Sequence, residues 1–120
     1  MLQAPIVPFL CNNDNITVEG LTMTSDQSYP VEFIQIGRNH NQILNCHIYG
    51  PNQAGDSSTW VVNRGFVTQS NVTNLLVRNN IFHTLRQSAY LNPNSTGTIM
   101  DNVVYNTRGY VVDRAIFLFS

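Results

Sequence analysis

Four short segments of this chain are variants of one another, and that repetition limits the fold more than any other feature. Asn15 to Thr24 reads N-I-T-V-E-G-L-T-M-T, and Asn41 to Gly50 reads N-Q-I-L-N-C-H-I-Y-G. Asn74 to Thr84 reads N-L-L-V-R-N-N-I-F-H-T, and Gly97 to Asn106 reads G-T-I-M-D-N-V-V-Y-N. Each opens on Asn or Gly, runs through two to four apolar residues, meets Gly, Cys or Asn at its sixth position, and closes with a second apolar step. A chain of this kind stacks like units on one another rather than wrapping once around a core.

A second series of strand-like runs accompanies the first. Residues 6–10 (I-V-P-F-L) precede the turn C-N-N-D and the first repeat, and residues 31–36 (V-E-F-I-Q-I) precede G-R-N-H and the second. The offset is five residues in both, from Leu10 to Asn15 and from Ile36 to Asn41. Trp60–Asn63, Ser88–Asn92 and Tyr110–Asp113 are expected to continue this series. The sixth-position residues Gly20, Cys46, Asn79 and Asn102 stand 26, 33 and 23 residues apart, with Pro51 to Thr59 read as an inserted loop in the long interval and R-G-F-V-T-Q-S, residues 64–70, as a candidate second excursion. Such a unit is too short for a propeller blade of about 40–45 residues and too strand-rich for helical repeats, and it lacks the leucine-rich signature. The remaining solution is all-β: a parallel β-helix solenoid of about four to five rungs, forming one domain over residues 1–120 or part of a longer β-helix.

In such a coil, like positions of successive rungs lie about 4.8 Å apart, so each column should be chemically uniform. Val18, Leu44, Val77 and Met100 are expected to form one apolar column, and Ile48, Ile81 and Val104 a second. Gly20, Cys46, Asn79 and Asn102 form a small or amide column, an asparagine ladder in which stacked side chains bond from rung to rung. Tyr49, Phe82 and Tyr105 form an aromatic column. The first segment is offset by one, which leaves Met23 in either of the last two columns.

The segments V-R-N-N-I-F, I-L-N-C-H-I-Y and I-M-D-N-V-V-Y resemble the rungs of the right-handed parallel β-helix superfamily, the pectin-lyase-like fold, over roughly residues 6–113. The resemblance implies a right-handed solenoid and says little about activity. Polysaccharide lyases, glycosidases, epimerases, tailspikes and adhesins share the architecture. Enzymes of the superfamily usually have more rungs and a cap at each end. Here the repeats begin inside a rung, and the last run, A-I-F-L-F-S, is an apolar strand. Open solenoid ends expose core and strand edges, so the expected partner is another copy covering those ends, with polysaccharide as a further candidate.

Composition excludes other classes. Charged residues make up 11% of the chain, lysine is absent, and the net charge is −1. A nucleic-acid backbone needs a concentrated basic stripe, so no nucleic-acid partner is expected. No apolar run reaches the roughly 18–20 residues of a membrane span, and the first residues show no basic leader region. The polar surface comes from 16 Asn, 10 Thr, 8 Ser and 7 Gln, which with 12 Val and 9 Ile favour strands and turns. Cys11 and Cys46 fall at different repeat positions and are expected to be unpaired. His40, His47 and His83 share no ligand spacing, so neither a metal nor another cofactor is expected.

Candidate chemistry is thin. Arg78 and Asp101 read as neighbours in one outward column beside Glu19 and Asn45. They are either a catalytic or sugar-binding pair, or a surface ion pair worth about 0–1 kcal/mol. Arg86 and Asp113, with His83 near Arg86 and Arg114 next to Asp113 in sequence, suit uronic-acid chemistry, in which Arg neutralises a carboxylate and a base takes a proton. The resemblance to lyases implies an Arg or Lys base and calcium held by several acids, but the seven acidic residues are scattered along the chain. Glycosidases need grouped carboxylates, and no such group is visible, so ordinary surface residues are the competing reading. Tyr49, Phe82 and Tyr105 are read as outward-facing, which suits packing, self-association or a platform for sugar rings. Gly55-Asp56-Ser57 lies in a polar loop without the partners of a triad. The expected function is a non-catalytic structural or surface module that self-associates, outside the cell or at its surface. The alternative is part of a carbohydrate-active protein (lyase, epimerase or glycosidase) or a sugar-binding module.

Overall fold

Short strands separated by Asn-rich corners suit a chain that must bend repeatedly while keeping its strands parallel. The computed structural model describes residues 2–3, 9–24, 32–50, 64–85, 87–107 and 116–119. The first sheet holds, in spatial order, β1 (Leu2–Gln3), β4 (Thr22–Thr24), β7 (His47–Tyr49), β10 (Ile81–Leu85) and β13 (Val103–Thr107). The second holds β11 (Gln87–Tyr90), β8 (Arg64–Thr68), β5 (Glu32–Ile36) and β2 (Phe9–Cys11). The third holds β14 (Ile116–Phe119), β12 (Thr96–Met100), β9 (Leu75–Arg78), β6 (Gln42–Leu44) and β3 (Thr17–Glu19). Every pairing is parallel. Spatial neighbours lie three strands apart in the chain except where β14 follows β12. The chain therefore visits the three sheets in rotation, and one circuit is one rung of a parallel β-helix. The expected strands at Trp60–Asn63 and Tyr110–Asp113, and the loop Pro51 to Thr59, lie outside the described residues, whereas Arg64–Thr68, expected as part of an excursion, is strand β8 because its residues pair with β5 and β11.

The register corrects the expected columns by one residue. Val18 pairs with Ile43, Ile43 with Val77, and Val77 with Ile99. Leu44 and Met100 instead share an outward column with Glu19 and Arg78. In the first sheet Met23, Ile48, Phe82 and Val104 align, so Phe82 takes the inward place expected for Ile81. Successive strand residues face opposite sides, so a slip of one exchanges core for surface. Paired residues of the third sheet, Val18, Ile43, Val77 and Ile99, thus stand 25, 34 and 22 apart, not 26, 33 and 23.

The slip originates in the corner between the third and first sheets, which has two distinct positions. Gly20, Asn45, Asn79 and Asp101 occupy the first, with φ of 74°, 54°, 58° and 56°. This left-handed conformation suits Gly, Asn and Asp, whose side chains raise little steric objection there. Leu21, Cys46, Asn80 and Asn102 occupy the second position. Counting to the sixth residue merged the two, placing Gly20 and Asn79 level with Cys46 and Asn102.

The second corner position carries the polar linkage. Asn80 is fully buried. Its Oδ1 accepts the Cys46 N–H at 2.9 Å, and its Nδ2 donates to Ile43 O at 2.9 Å and to Asn102 Oδ1 at 3.0 Å. Asn102 Oδ1 also accepts the Asn80 N–H at 2.9 Å, while Asn102 Nδ2 donates to Val77 O at 3.0 Å. Asn41, likewise fully buried, serves the opposite corner by accepting the Ile16 N–H at 2.7 Å and donating to Arg38 O at 3.2 Å.

Between the corners the core is apolar. Ile34, Phe66 and Ala89 line the second sheet's inner face, and the Phe66 and Phe82 rings meet at 6.0 Å. Gly65 permits this packing, because a Cβ there would collide with the Ser88 carbonyl oxygen and the Phe82 ring. Cys11 and Cys46 are buried free thiols, as expected. The ends are not closed. Val104 continues the Met23–Ile48–Phe82 column yet is 47% exposed, and Phe9 continues the Ile34–Phe66 column yet is 41% exposed.

The two corner positions should respond differently to substitution. Asn80→Ala leaves buried backbone groups unpaired at about 1–3 kcal/mol each, so urea unfolding should show a loss of about 3 kcal/mol. Asn79→Gly keeps the left-handed turn and should change stability by less than about 0.5 kcal/mol. The opposite ranking would show that the corner depends on its conformation rather than its amide.

Candidate functional site

Alternation along the strands sends every second residue of the first sheet outward. Two outward columns result: His47, Ile81 and Val103, and beside them Tyr49, His83 and Tyr105. The second column is a stack of rings. Tyr49 and His83 have centroids 4.9 Å apart and planes 4° from parallel, and His83 and Tyr105 are 4.7 Å apart at 9°. Of the expected aromatic column, Tyr49 and Tyr105 stand in the stack. Phe82 does not: it is buried in the core, and His83 takes its place. The faces between adjacent rings are spent on one another, so a ligand meets ring edges and the terminal Tyr105, which is 47% exposed. Ile81 and Val103, also exposed, extend an apolar patch beside it.

A histidine pair crosses the two columns. His47 Nε2 lies 2.9 Å from His83 Nε2, and His83 Nδ1 lies 2.9 Å from Thr84 Oγ1. Burial lowers the His83 pKa below its usual 6.5, and the neighbouring His47 lowers it further. Both influences favour a neutral ring, since two imidazolium ions at this distance repel. Thr84 has φ 56°, in the left-handed region, although it is β-branched. Conformations of this kind cost about 1–3 kcal/mol and gather where geometry serves a site. The opposing Gly50 is required, because a Cβ there would strike the Thr84 carbonyl oxygen.

Sequence reasoning missed this pair. His47 and His83 lie 36 residues apart and at different segment positions. The available signal was parity: with Ile48 and Phe82 facing inward, both histidines must face outward on adjacent strands.

The other expected site residues are dispersed. Arg78 stands between Leu44 and Met100 in its column, whereas Asp101 is the next residue, at the left-handed corner above Asn79. The shared column expected for Arg78 and Asp101 is thus two columns, and the neighbouring contact is Asn45 Nδ2 donating to Glu19 Oε2 at 3.2 Å. Arg86 and Asp113 lie outside the described residues. The second sheet carries a polar face that sequence reading did not single out. Gln35 and Gln69 both donate to Glu32 Oε1, Arg64 Nε donates to Gln87 Oε1 at 3.0 Å, and the Arg64 guanidinium lies 5.2 Å from the Tyr90 ring centre. Among the described residues, no group of three or more His, Cys, Asp or Glu converges as a metal site.

A family model described as a right-handed beta helix region matches residues 9–119. The chain belongs to this right-handed β-helix family. No curated protein and no solved structure matches the chain. Membership in the right-handed β-helix family agrees with the parallel rungs and gives the coil its hand. It assigns no chemistry to the outer faces, where the ring stack and histidine pair lie. Among the described residues, no helix of this β-helix chain is long and apolar enough to cross a membrane.

The lowered His83 pKa has a definite sign. Between the folded-state pKa and 6.5 the unfolded chain binds more protons than the folded one, so stability rises with pH across that window. His83's neutral placement is fully favourable above about pH 6.5 and is lost as pH falls through the lowered folded value. The titratable groups facing it are His47, Tyr49 and Tyr105. Urea midpoints from pH 7.5 to 5 (about neutral to mildly acidic) should fall in the parent and less steeply in His83→Gln. Equal slopes would remove His83 from the pH response.

Proposed function

We propose that this right-handed β-helix is a non-catalytic structural or surface module that associates with further copies of itself through its open ends, outside the cell or at its surface. One observation carries the reading: interior columns run out into solvent. Phe9 and Val104 continue the columns of Ile34 and Phe82, which are 0% and 1% exposed, yet they are 41% and 47% exposed themselves. A β-helix gains by covering such residues with another rung, and the outer strand of a sheet offers backbone groups to pair with it. Val103 and Tyr105 lie on the same last strand of the first sheet and add exposed apolar area there.

Polysaccharide binding is the second reading. It is favoured by the exposed Tyr105 ring at the end of the stack, beside Ile81 and Val103, since sugar rings pack on aromatic faces through apolar C–H groups. In this reading Tyr49 and Tyr105 carry recognition, while Phe82 supports them from the core.

Sedimentation velocity of the full chain over a dilution series tests the first reading. A dimer or larger species that dissociates on dilution is expected. Val104→Lys should shift the protein to monomer with its far-ultraviolet circular dichroism unchanged. A parent that stays monomeric at every concentration overturns the association. A polysaccharide that binds this monomer, and no longer binds Tyr105→Ser, would establish the second reading instead.

A further inference from the structure

We propose that His47 and His83 form a binding site for a tetragonal divalent transition-metal ion, copper(II) or nickel(II), on the outer face of the first sheet. Three observations converge. First, the two Nε2 atoms lie 2.9 Å apart on adjacent parallel strands. With metal–nitrogen bonds of about 2.0–2.1 Å, donors at that separation subtend roughly 90° at the metal. That is the angle between neighbouring ligands in square-planar or octahedral sites rather than tetrahedral ones, and imidazole suits such ions.

Second, the other nitrogen of His83 is already oriented. His83 Nδ1 meets Thr84 Oγ1 at 2.9 Å. A ligating histidine characteristically donates its second ring N–H to an oxygen, which fixes the tautomer and ring direction. With Nδ1–H given to Thr84, His83 Nε2 carries the free lone pair, on the side where His47 Nε2 lies. His47 joins it by moving its proton to Nδ1, so the pair binds the ion without losing a net proton. Third, the hydroxyl comes from a β-branched residue held at φ 56°. The backbone thus bears an unfavourable conformation at the residue that orients the ring. Burial also favours the neutral, ligating form of His83.

Two protein donors leave the remaining positions to water, in keeping with the lack of a third His, Cys, Asp or Glu in a group among the described residues. Tyr49 and Tyr105 stack on either side of His83 and restrict its swing. His40, at the corner opposite, bonds through Nδ1 with Asn74 and lies apart from the pair.

Titration calorimetry with Cu²⁺ and Ni²⁺ on the untagged full chain tests the site, together with electron paramagnetic resonance of the copper form. One ion per chain is expected, with a tetragonal copper spectrum coupled to two imidazole nitrogens. His47→Gln and His83→Gln should each lower affinity by at least about tenfold, and Thr84→Gly by about 10–100-fold, while His40→Gln leaves it unchanged. Variants are compared only where circular dichroism matches the parent. The spectrum of the parent decides the matter if a variant fails to fold. A copper spectrum with one imidazole nitrogen or none, affinity retained in His83→Gln, or no binding to the parent would overturn the proposal.

Discussion

The coil depends on a corner that solves two problems with two adjacent residues. The chain must turn sharply from the third sheet to the first, and the turn must not strand buried amides without partners. A left-handed residue makes the bend, and the next side chain enters the core. Where that side chain is Asn, it does there what strand pairing does elsewhere: Asn80 and Asn102 take up backbone groups of the rung beside them and bond to each other. An unpaired amide in an apolar interior costs more than its partnered form contributes. These side chains therefore hold their rungs in one register, and the apolar column of Ile43, Val77 and Ile99 follows from it.

That corner also explains what could and could not be read from the chain. The repeat, its approximate length and the alternation of apolar residues were legible, because a parallel β-helix is a one-dimensional pattern. The register was not. Asn79 and Asn80 are identical letters with opposite tasks, one supplying a backbone conformation and the other an amide. Choosing Asn79 as the stacked residue moved Phe82 outward and Ile81 inward in the expectation. Cys46, between Asn45 and His47, carried the same ambiguity, because a buried thiol and an amide both fit the second corner position. The aromatic column was correct at Tyr49 and Tyr105 and wrong at Phe82 for this reason alone. Arg78 and Asp101 were likewise merged because the corner was counted as a single step.

The outer face of the first sheet shows how a solenoid converts sequence repetition into a surface. Rings three residues past the corner fall into line because the rungs do, and their parallel stacking follows from the strand spacing. A histidine within such a stack differs from a lone surface histidine. Its faces are covered by Tyr49 and Tyr105, and its two nitrogens lie near Thr84 and His47. Its charge and orientation are consequently set by the adjacent Thr84 together with His47, Tyr49 and Tyr105 from other rungs.

The connections between sheets are unequal, and this has a consequence for how such a chain can change. Passing from the third sheet to the first, the strands are always separated by the same two-residue corner, as between Glu19 and Thr22 or Leu44 and His47. From the first sheet to the second, the chain continues from Thr24 to Glu32, from Tyr49 to Arg64 and from Leu85 to Gln87, so the spacing varies widely. One edge of the coil behaves as a fixed spine, and another accepts lengthening without altering the stack. The interval between Tyr49 and Arg64 is the longest of these, and the strands on either side of it keep the register of their sheets. Length can therefore change at this seam while the register of the rungs is kept.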